Sequence, residues 1–199
     1  MKILGVVIAG GASTRMGGVE KAFIPLDGIT LIERVISRLR FQVDDVAINA
    51  NGDATRFSVT NVAVVADQLN GVATPLAGLH AALAFAAQGG FDAVVTVPSD
   101  SPFIPLDLVA RLLDGGEITG AAIATSLGFE HHLTGIWTTS LAKPLEKLIS
   151  QDGLRRVQDF VAKAQAAKVG WAADPHDPFF NINTPEDLII AEQIVKSEV

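Results

Sequence analysis

The chain has 199 residues, of which 49% are hydrophobic, and a formal net charge of −7. This length suits one substantial core, so we predict a single domain over residues 1–199. The acidic balance disfavours nucleic acid and anionic membranes as partners, and the lack of cysteine excludes a disulfide framework and thiolate metal sites.

The first predicted element is a buried strand. Residues 3–9 form a continuous apolar run, which is typical of a strand covered on both faces of a parallel sheet. We interpret the run as a core strand and not as a secretory signal, because Gly10, Gly11 and Arg15 follow it at once. No stretch of the sequence approaches the roughly 20 apolar residues that span a bilayer. We therefore expect a cytoplasmic protein.

The loop at residues 10–21 has the composition of a phosphate cradle. It carries two glycine pairs together with Arg15 and Lys21. Glycine allows backbone N–H groups to converge on an anion, and the two cations add full charges. The loop is not a dinucleotide motif, because the chain reads Gly10-Gly11 where Gly-x-Gly-x-x-Gly is needed. It is not a P-loop either, because Gly18 is followed by Val19 and not by Lys and Ser or Thr. We predict a nucleotide site of a third kind.

Strands and helices alternate along the rest of the chain. We predict a tight turn at Asp27 and Gly28, a helix capped by Thr30, and a helix that opens with Thr74 as its capping hydroxyl and ends before residues 89–90. Further strands are predicted over residues 43–49, 61–66, 91–97, 121–126, 132–138 and 169–172, and further helices over residues 105–113, 141–149, 154–167 and 185–196. This alternation predicts a three-layer α/β/α fold with a mainly parallel sheet.

Polar side chains follow the predicted strands where these strands end. Asn49 is the last residue of one predicted strand, Asp67 and Asp100 each follow a strand, and two prolines hold Asp100 in a rigid turn. In open α/β sheets the ligand sits beyond the carboxyl ends of the strands. We therefore expect these residues and the loop at residues 10–21 to lie along one rim.

Together these residues closely resemble the molybdenum cofactor guanylyltransferase family, within the glycosyltransferase-A-like nucleotidyltransferase group. The opening motif alone is shared with enzymes that make sugar nucleotides and cytidine diphosphate alcohols, so the combination carries the resemblance. It extends over nearly the whole chain. Its markers are Ala9-Gly10-Gly11-x-x-x-Arg15-Met16-Gly17-Gly18-x-x-Lys21, Asn49-Ala50-Asn51, Asp67, Pro75-Leu76-Ala77-Gly78, Pro98-x-Asp100-x-Pro102 and Asn181-Ile182-Asn183-Thr184-Pro185-Glu186-Asp187-Leu188.

The resemblance implies a Rossmann-like nucleotidyltransferase that transfers GMP from GTP to the phosphate of molybdenum-molybdopterin and releases pyrophosphate. It implies a GTP-binding half at about residues 1–115 and a pterin-binding half at about residues 116–199. Arg15, Lys21 and Asp100 are the implied catalytic residues. The implied GTP contacts are Ile8, Ala9, Gly10, Gly11, Lys21, Asn49, Asp67 and Asp100.

The implied cofactor is Mg²⁺ with Asp100 as its ligand, since Mg²⁺ typically takes one or two carboxylates besides substrate phosphates and waters. A turn-forming aspartate is the alternative reading of that residue. Asn183 has three readings, as a second metal ligand, a strand-end cap or a molybdopterin contact, and Asn181 has the last two. His132 and Arg156 fall where the family handles its pterin, although adjacent arginines are often a solvated helix face.

Several functional alternatives stay open from the sequence. They are a cytidylyltransferase acting on the same pterin, a sugar-phosphate nucleotidyltransferase, and a nucleotide-binding protein without turnover. Transient contacts with molybdenum cofactor delivery proteins and molybdoenzyme chaperones are also expected from the resemblance. One departure concerns the loop, because Glu20 stands where the family usually has Asp. The remaining histidines are interpreted as structural or surface residues, and both tryptophans as core residues.

Overall fold

A seven-stranded sheet runs through the computed structural model, which describes residues 1–10, 20–69, 72 and 74–197. Its strands are β1 (Ile3–Ile8), β4 (Asp45–Asn49), β5 (Ala63–Val65), β6 (Ala93–Pro98), β7 (Ala121–Ser126), β8 (Phe129–Thr138) and β9 (Ala167–Trp171). They lie in the order β5-β4-β1-β6-β8-β7-β9. Strand β8 runs antiparallel to both β6 and β7, while the other pairs are parallel. The prediction of a mainly parallel sheet is confirmed.

Helices cover both faces of this sheet, as predicted. They are α1 (Leu31–Arg40), α2 (Pro75–Gln88), α3 (Leu108–Gly116), α4 (Ala142–Ser150), α5 (Val157–Lys163) and α6 (Pro185–Ser197). On one face, Val7 of β1 shares a core with α1 and α3. On the other face, Leu4 and Val6 of β1 share a core with α2, α4 and α5. Because side chains alternate along a strand, the unbroken apolar run of β1 supplies both cores.

The hairpin of β2 (Pro25–Leu26) and β3 (Ile29–Thr30) follows the glycine-rich loop. Asp27 and Gly28 have φ angles of 52° and 77°, so the predicted tight turn is confirmed. The hairpin packs with α6 in a third apolar cluster that contains Leu26, Ile182 and Val195. The end of the chain is thereby brought back to the segment that follows the loop.

Capping hydrogen bonds mark the starts of α1 and α6, but not the start of α2. Thr30 and Glu33 form a complete capping box at α1, and Thr184 and Asp187 exchange capping hydrogen bonds at α6. The Thr74 hydroxyl makes no capping hydrogen bond at α2, so that prediction is wrong. The Thr74 carbonyl accepts instead from the Ala77 N–H at 2.9 Å and satisfies the amide that the hydroxyl would serve.

Other boundaries shift by a few residues. Helix α3 begins at Leu108 and not at residue 105, and α5 is shorter than predicted and ends before Gln165, whose φ of 50° is left-handed. Trp137 and Trp171 are buried, as predicted. Within the described residues, none of the helices has the length and apolar character to cross a membrane.

Candidate active site

The carboxyl ends of four parallel strands are aligned along one rim of the sheet. Ile8 at the end of β1 pairs with Asn49 of β4 and with Pro98 of β6, and Asn49 in turn pairs with Val65 of β5. The chain leaves each strand at this level. The predicted GTP contacts Ala9, Gly10 and Asp67 and the predicted metal ligand Asp100 therefore follow strands that end side by side.

Two asparagines hold the carboxylate of Asp67. The Asn49 side chain is buried, and its Nδ2 donates to Asp67 Oδ1 at 2.9 Å and to the Val65 carbonyl at 3.1 Å. Asn51 Nδ2 donates to Asp67 Oδ2 at 2.8 Å, and the Asp67 N–H donates back to Asn51 Oδ1 at 2.9 Å. Each carboxylate oxygen keeps a further lone pair for a ligand. Asp67 is therefore fixed in orientation and still able to accept hydrogen bonds.

Lys21, Asp100 and Asn183 meet although they come from three distant parts of the chain. Lys21 Nζ lies 3.5 Å from Asp100 Oδ2 and donates a hydrogen bond to Asn183 Oδ1. The Ile182 N–H donates to the Asp100 carbonyl at 2.9 Å, and Asp187 Oδ2 accepts from the Asn183 N–H at 2.9 Å. The segment that carries Asn183 is thus attached to the strand-end turn of Asp100.

The environment of Asp100 disfavours its charged form. Burial raises the pKa of this carboxyl above its usual value, and the nearby Lys21 ammonium opposes that effect only in part. The side chains of Lys21 and Asp100 are 16% and 21% exposed. A cation at this point compensates a buried carboxylate, so the site gains from binding a second positive charge.

These oxygen atoms fit a Mg²⁺ ion. Asp100 and Asn183 supply a carboxylate oxygen and an amide oxygen that both lie next to the Lys21 ammonium group. Within the part of the chain that the structure describes, no group of three or more His, Cys, Asp or Glu residues is arranged to hold a metal. Mg²⁺ does not need one, because it usually takes one or two carboxylates and completes its shell with substrate phosphates and water.

A cleft of about 450 Å³ opens beside Asp100. Four of the predicted site residues border it: Asp100, His132, Arg156 and Asn181. The side chain of Asn181 is held in place, because its Oδ1 accepts a hydrogen bond from the Ser101 hydroxyl. The structure thus places three of the residues predicted for the pterin, His132, Arg156 and Asn181, in one concave surface with the residue predicted for the metal, whereas Asn183 does not line this cleft.

Charged partners orient His132 and Arg156, two of the side chains that line this cleft. His132 Nε2 lies 3.2 Å from Glu130 Oε2, and Lys168 pairs with the same carboxylate. The hydrogen bond from Lys168 is the main cause of the lowered pKa of Glu130. Arg156 binds Asp159 through two hydrogen bonds of 2.9 Å and 3.1 Å. Arg155 instead donates at 2.8 Å to the Ile149 carbonyl of α4, which is a structural role.

Sequence reasoning missed Arg56, which connects the loop to the Asn51 segment. Arg56 Nη2 donates to the Asn51 carbonyl at 2.8 Å, and its Nε lies 3.4 Å from Glu20 Oε2. Glu20 therefore forms an ion pair with Arg56. Arg56 lies in the 3₁₀ segment Ala54–Thr60, and no sequence pattern marked it. Two predicted site residues, Gly11 and Arg15, lie outside the described residues.

Comparison with known proteins gives consistent results. Residues 5–168 match the model of the MobA-like NTP transferase domain. A molybdenum cofactor guanylyltransferase of Nitrobacter hamburgensis is 40% identical, with 96% of this chain and 93% of the relative covered. One of the same name from Cereibacter sphaeroides is 39% identical, with 100% of both chains covered. The crystal structure of molybdopterin-guanine dinucleotide biosynthesis protein A from Archaeoglobus fulgidus is 25% identical, with a TM-score of 0.72 over 98% of this chain and 99% of that one.

Proposed function

Because this chain belongs to the molybdenum cofactor guanylyltransferase family, we propose that it transfers GMP from GTP to the phosphate of molybdenum-molybdopterin. The products are the molybdopterin guanine dinucleotide cofactor and pyrophosphate. An oxygen of the acceptor phosphate forms a bond to the α-phosphorus of GTP, and the bond from that phosphorus to the bridging oxygen of the β-phosphate breaks.

This reaction needs no nucleophilic side chain and no protein base. A phosphate monoester has a second pKa of roughly 6, so the acceptor is mostly dianionic at neutral pH. The barrier lies in bringing two anions together and in stabilising the charge that develops on the α-phosphate and on pyrophosphate. Fixed cations and preorganised donors meet that need.

The residues on the rim support this assignment. Lys21 contributes the positive charge beside the attacked phosphate, and Asp67, held by Asn49 and Asn51, accepts from the nucleoside. Asp100 and Asn183 hold Mg²⁺, which when bound draws charge from the phosphate oxygens. His132, Arg156 and Asn181 bind the acceptor in the cleft beside Asp100. Arg15 is proposed to act with Lys21.

One observation carries the proposal furthest. The Lys21–Asp100 pair stands at the edge of the cleft, because Asp100 belongs both to the ion pair and to the cleft wall. A donor phosphate bound by Lys21 and an acceptor bound in the cleft are then neighbours. That is the arrangement a transfer between two bound substrates requires.

The decisive experiment supplies the purified protein with molybdenum-loaded molybdopterin, Mg²⁺ and each nucleoside triphosphate in turn. Pyrophosphate release and the mass of the dinucleotide product are measured. We expect turnover with GTP, and loss of turnover without divalent metal. Preferred use of CTP identifies a cytidylyltransferase, and turnover with a sugar phosphate in place of the pterin identifies a sugar-nucleotide enzyme. Contacts with delivery proteins and chaperones, the division into two halves and a cytoplasmic location stay predictions.

A further inference from the structure

A chain of hydrogen bonds behind the cleft ends at His131, which borders the cleft itself. The Ser126 hydroxyl donates to Asp177 Oδ1 at 2.7 Å, and Ser126 Oγ lies 2.7 Å from His131 Nε2. The Phe179 N–H donates to the same Asp177 oxygen at 3.0 Å, and the Phe179 ring lies 4.7 Å from the imidazole. His131 is thus held in place by its hydrogen bond to Ser126, which Asp177 orients in turn, and by contact with the Phe179 ring.

This chain fixes which imidazole nitrogen carries the proton. An ionised aspartate only accepts hydrogen bonds, so the single hydroxyl proton of Ser126 is used on Asp177. The Ser126 oxygen must then accept from His131, and Nε2 is the protonated nitrogen. Burial lowers the pKa of His131, with Asp177 opposing and His132 adding to the effect. The ring is therefore neutral at pH 7, and Nδ1 carries a lone pair.

The lone pair on Nδ1 is accessible. Among the described residues, the buried side-chain atoms without a hydrogen-bond partner are Arg56 Nε, Thr74 Oγ1 and His80 Nδ1. His131 Nδ1 is not among these buried atoms. Within the described residues, the His131 ring makes its hydrogen bond through Nε2 and not through Nδ1. This acceptor therefore belongs to a side chain that lines the cleft and that Ser126 holds in orientation.

We propose that His131 is a specificity-determining residue, whose Nδ1 accepts a hydrogen bond from an N–H group of the heterocyclic acceptor substrate. The inference rests on the proposed function, because it assigns the cleft to the acceptor and not to GTP. Once a bound substrate covers it, an acceptor of this kind discriminates between ligands, since a ligand without the matching donor leaves it unpaired and cut off from water. Pterins carry such N–H donors on their pyrimidine ring.

Two substitutions separate this role from a structural one. In His131→Gln the amide reaches the position of Nε2 and keeps the bond to Ser126, but no acceptor replaces Nδ1. In His131→Asn the side-chain oxygen takes the position of Nδ1 but does not reach Ser126. His131→Gln therefore removes the substrate contact, and His131→Asn removes the structural contact with Ser126. The two side chains differ little in polarity.

Steady-state kinetics with GTP, Mg²⁺ and molybdenum-loaded molybdopterin test the proposal. We expect His131→Gln to raise the KM for the pterin roughly fivefold to tenfold, as loss of one hydrogen bond implies. His131→Asn should keep that KM within roughly threefold, and both should leave the KM for GTP within roughly twofold. The reverse order of the two variants, or an increase confined to the KM for GTP, overturns the inference.

The protonation of His131 gives a readout that does not depend on turnover. Imidazole nitrogen shifts of the ¹⁵N-histidine-labelled protein at pH 7.5, assigned with His131→Gln, should show a protonated Nε2 and an unprotonated Nδ1. The opposite tautomer or an imidazolium ring overturns the inference. A parent enzyme that releases no pyrophosphate overturns the proposed function, whereas an active parent whose His131→Gln variant keeps its pterin KM overturns this inference alone.

Discussion

Gly78 of α2 lies so close to Asn49 of β4 that no side chain fits between them. A β-carbon on Gly78 would lie 2.3 Å from Asn49 Oδ1 and 3.2 Å from its Cγ. Asn49 cannot easily yield, because its amide is buried and bonded to the Val65 carbonyl and to Asp67. The orientation of Asp67 therefore depends on the absence of a methyl group on a neighbouring helix.

We expect Gly78→Ala to weaken GTP binding at least fivefold, because it displaces Asn49 and with it Asp67. This change corresponds to a loss of about 1 kcal/mol in binding free energy. Stability should also fall, since overpacking of this kind costs about 1–3 kcal/mol and the higher helix propensity of alanine, about 1 kcal/mol, offsets only part of it. Equilibrium titration with GTP measures the effect. Gly170→Ala is the control, because its β-carbon would lie 3.6 Å from Thr125 Oγ1, an ordinary contact. Unchanged GTP affinity in Gly78→Ala would contradict the prediction.

Asp100→Asn should abolish turnover and still fold well. Loss of the carboxylate that we propose as the metal ligand should lower kcat by at least about 100-fold. Burial raises the pKa of Asp100, so the folded state disfavours its charge. The burial of this charge lowers the unfolding free energy of the parent as pH rises from the ordinary pKa of an aspartate through the raised pKa of Asp100 in the folded state. Asp100→Asn carries no such charge, so it should be more stable than the parent at pH 7.

Urea unfolding at pH 7 and near pH 4 measures this difference. Asp114→Asn, at an exposed position of α3, serves as the control. An Asp100→Asn variant that is as active as the parent with Mg²⁺ would refute the metal-binding role. One that is less stable than the parent at pH 7 would refute the account of its pKa.

Arg56 and Glu20 should act together on nucleotide binding. Arg56 holds the Asn51 carbonyl and pairs with Glu20, next to Lys21. The two side chains are 32% and 28% exposed, so their direct attraction is weak, about 0.2–1 kcal/mol. We expect Arg56→Ala to raise the KM for GTP roughly threefold to tenfold, mostly through Asn51 and Asp67.

A double-mutant cycle with Glu20→Gln measures the coupling, and Arg40→Ala, an exposed arginine at the end of α1, is the control. A KM for GTP that responds equally to Arg40→Ala and Arg56→Ala would show that only general charge matters.

His80 should make the protein less stable in acid. It is buried in α2, and burial lowers its pKa, with Glu146 and Asp67 opposing. The folded state therefore favours the neutral ring. The corresponding stability is present above the unfolded pKa near 6.5 and is lost as pH falls through the folded-state pKa. His80→Leu should flatten the fall in unfolding free energy between pH 7 and pH 5.

Chemical denaturation across this pH range tests the prediction. The flattening is partial, because burial lowers the pKa of His131 too and acts with the same sign. If His80→Leu leaves the acid limb as steep as in the parent, His80 does not bind a proton on unfolding in this range.

Much of the site is encoded in short stretches of sequence. The apolar run of β1 predicted a strand with two cores, and the Asp27-Gly28 pair predicted the turn that the structure contains. The positions of Asn49 at the end of one strand and of Asp100 after another predicted a common rim, and the register of β1, β4 and β6 places them there. Each of these signals depends on residues within a few positions of one another.

Other features depend on contacts between distant segments. No local pattern marks Asn183 as the partner of Lys21, Arg56 as the partner of Glu20, or His131 as the end of the chain from Asp177.

The sequence by itself determined the type and position of most elements and the chemistry available at the strand ends, because helix and strand periods and turn propensities act over a few residues. Only the tertiary structure decided which of these groups meet. The order of strands in the sheet and the return of the 181–183 segment to Asp100 fix those distances, through packing that sums over the whole core.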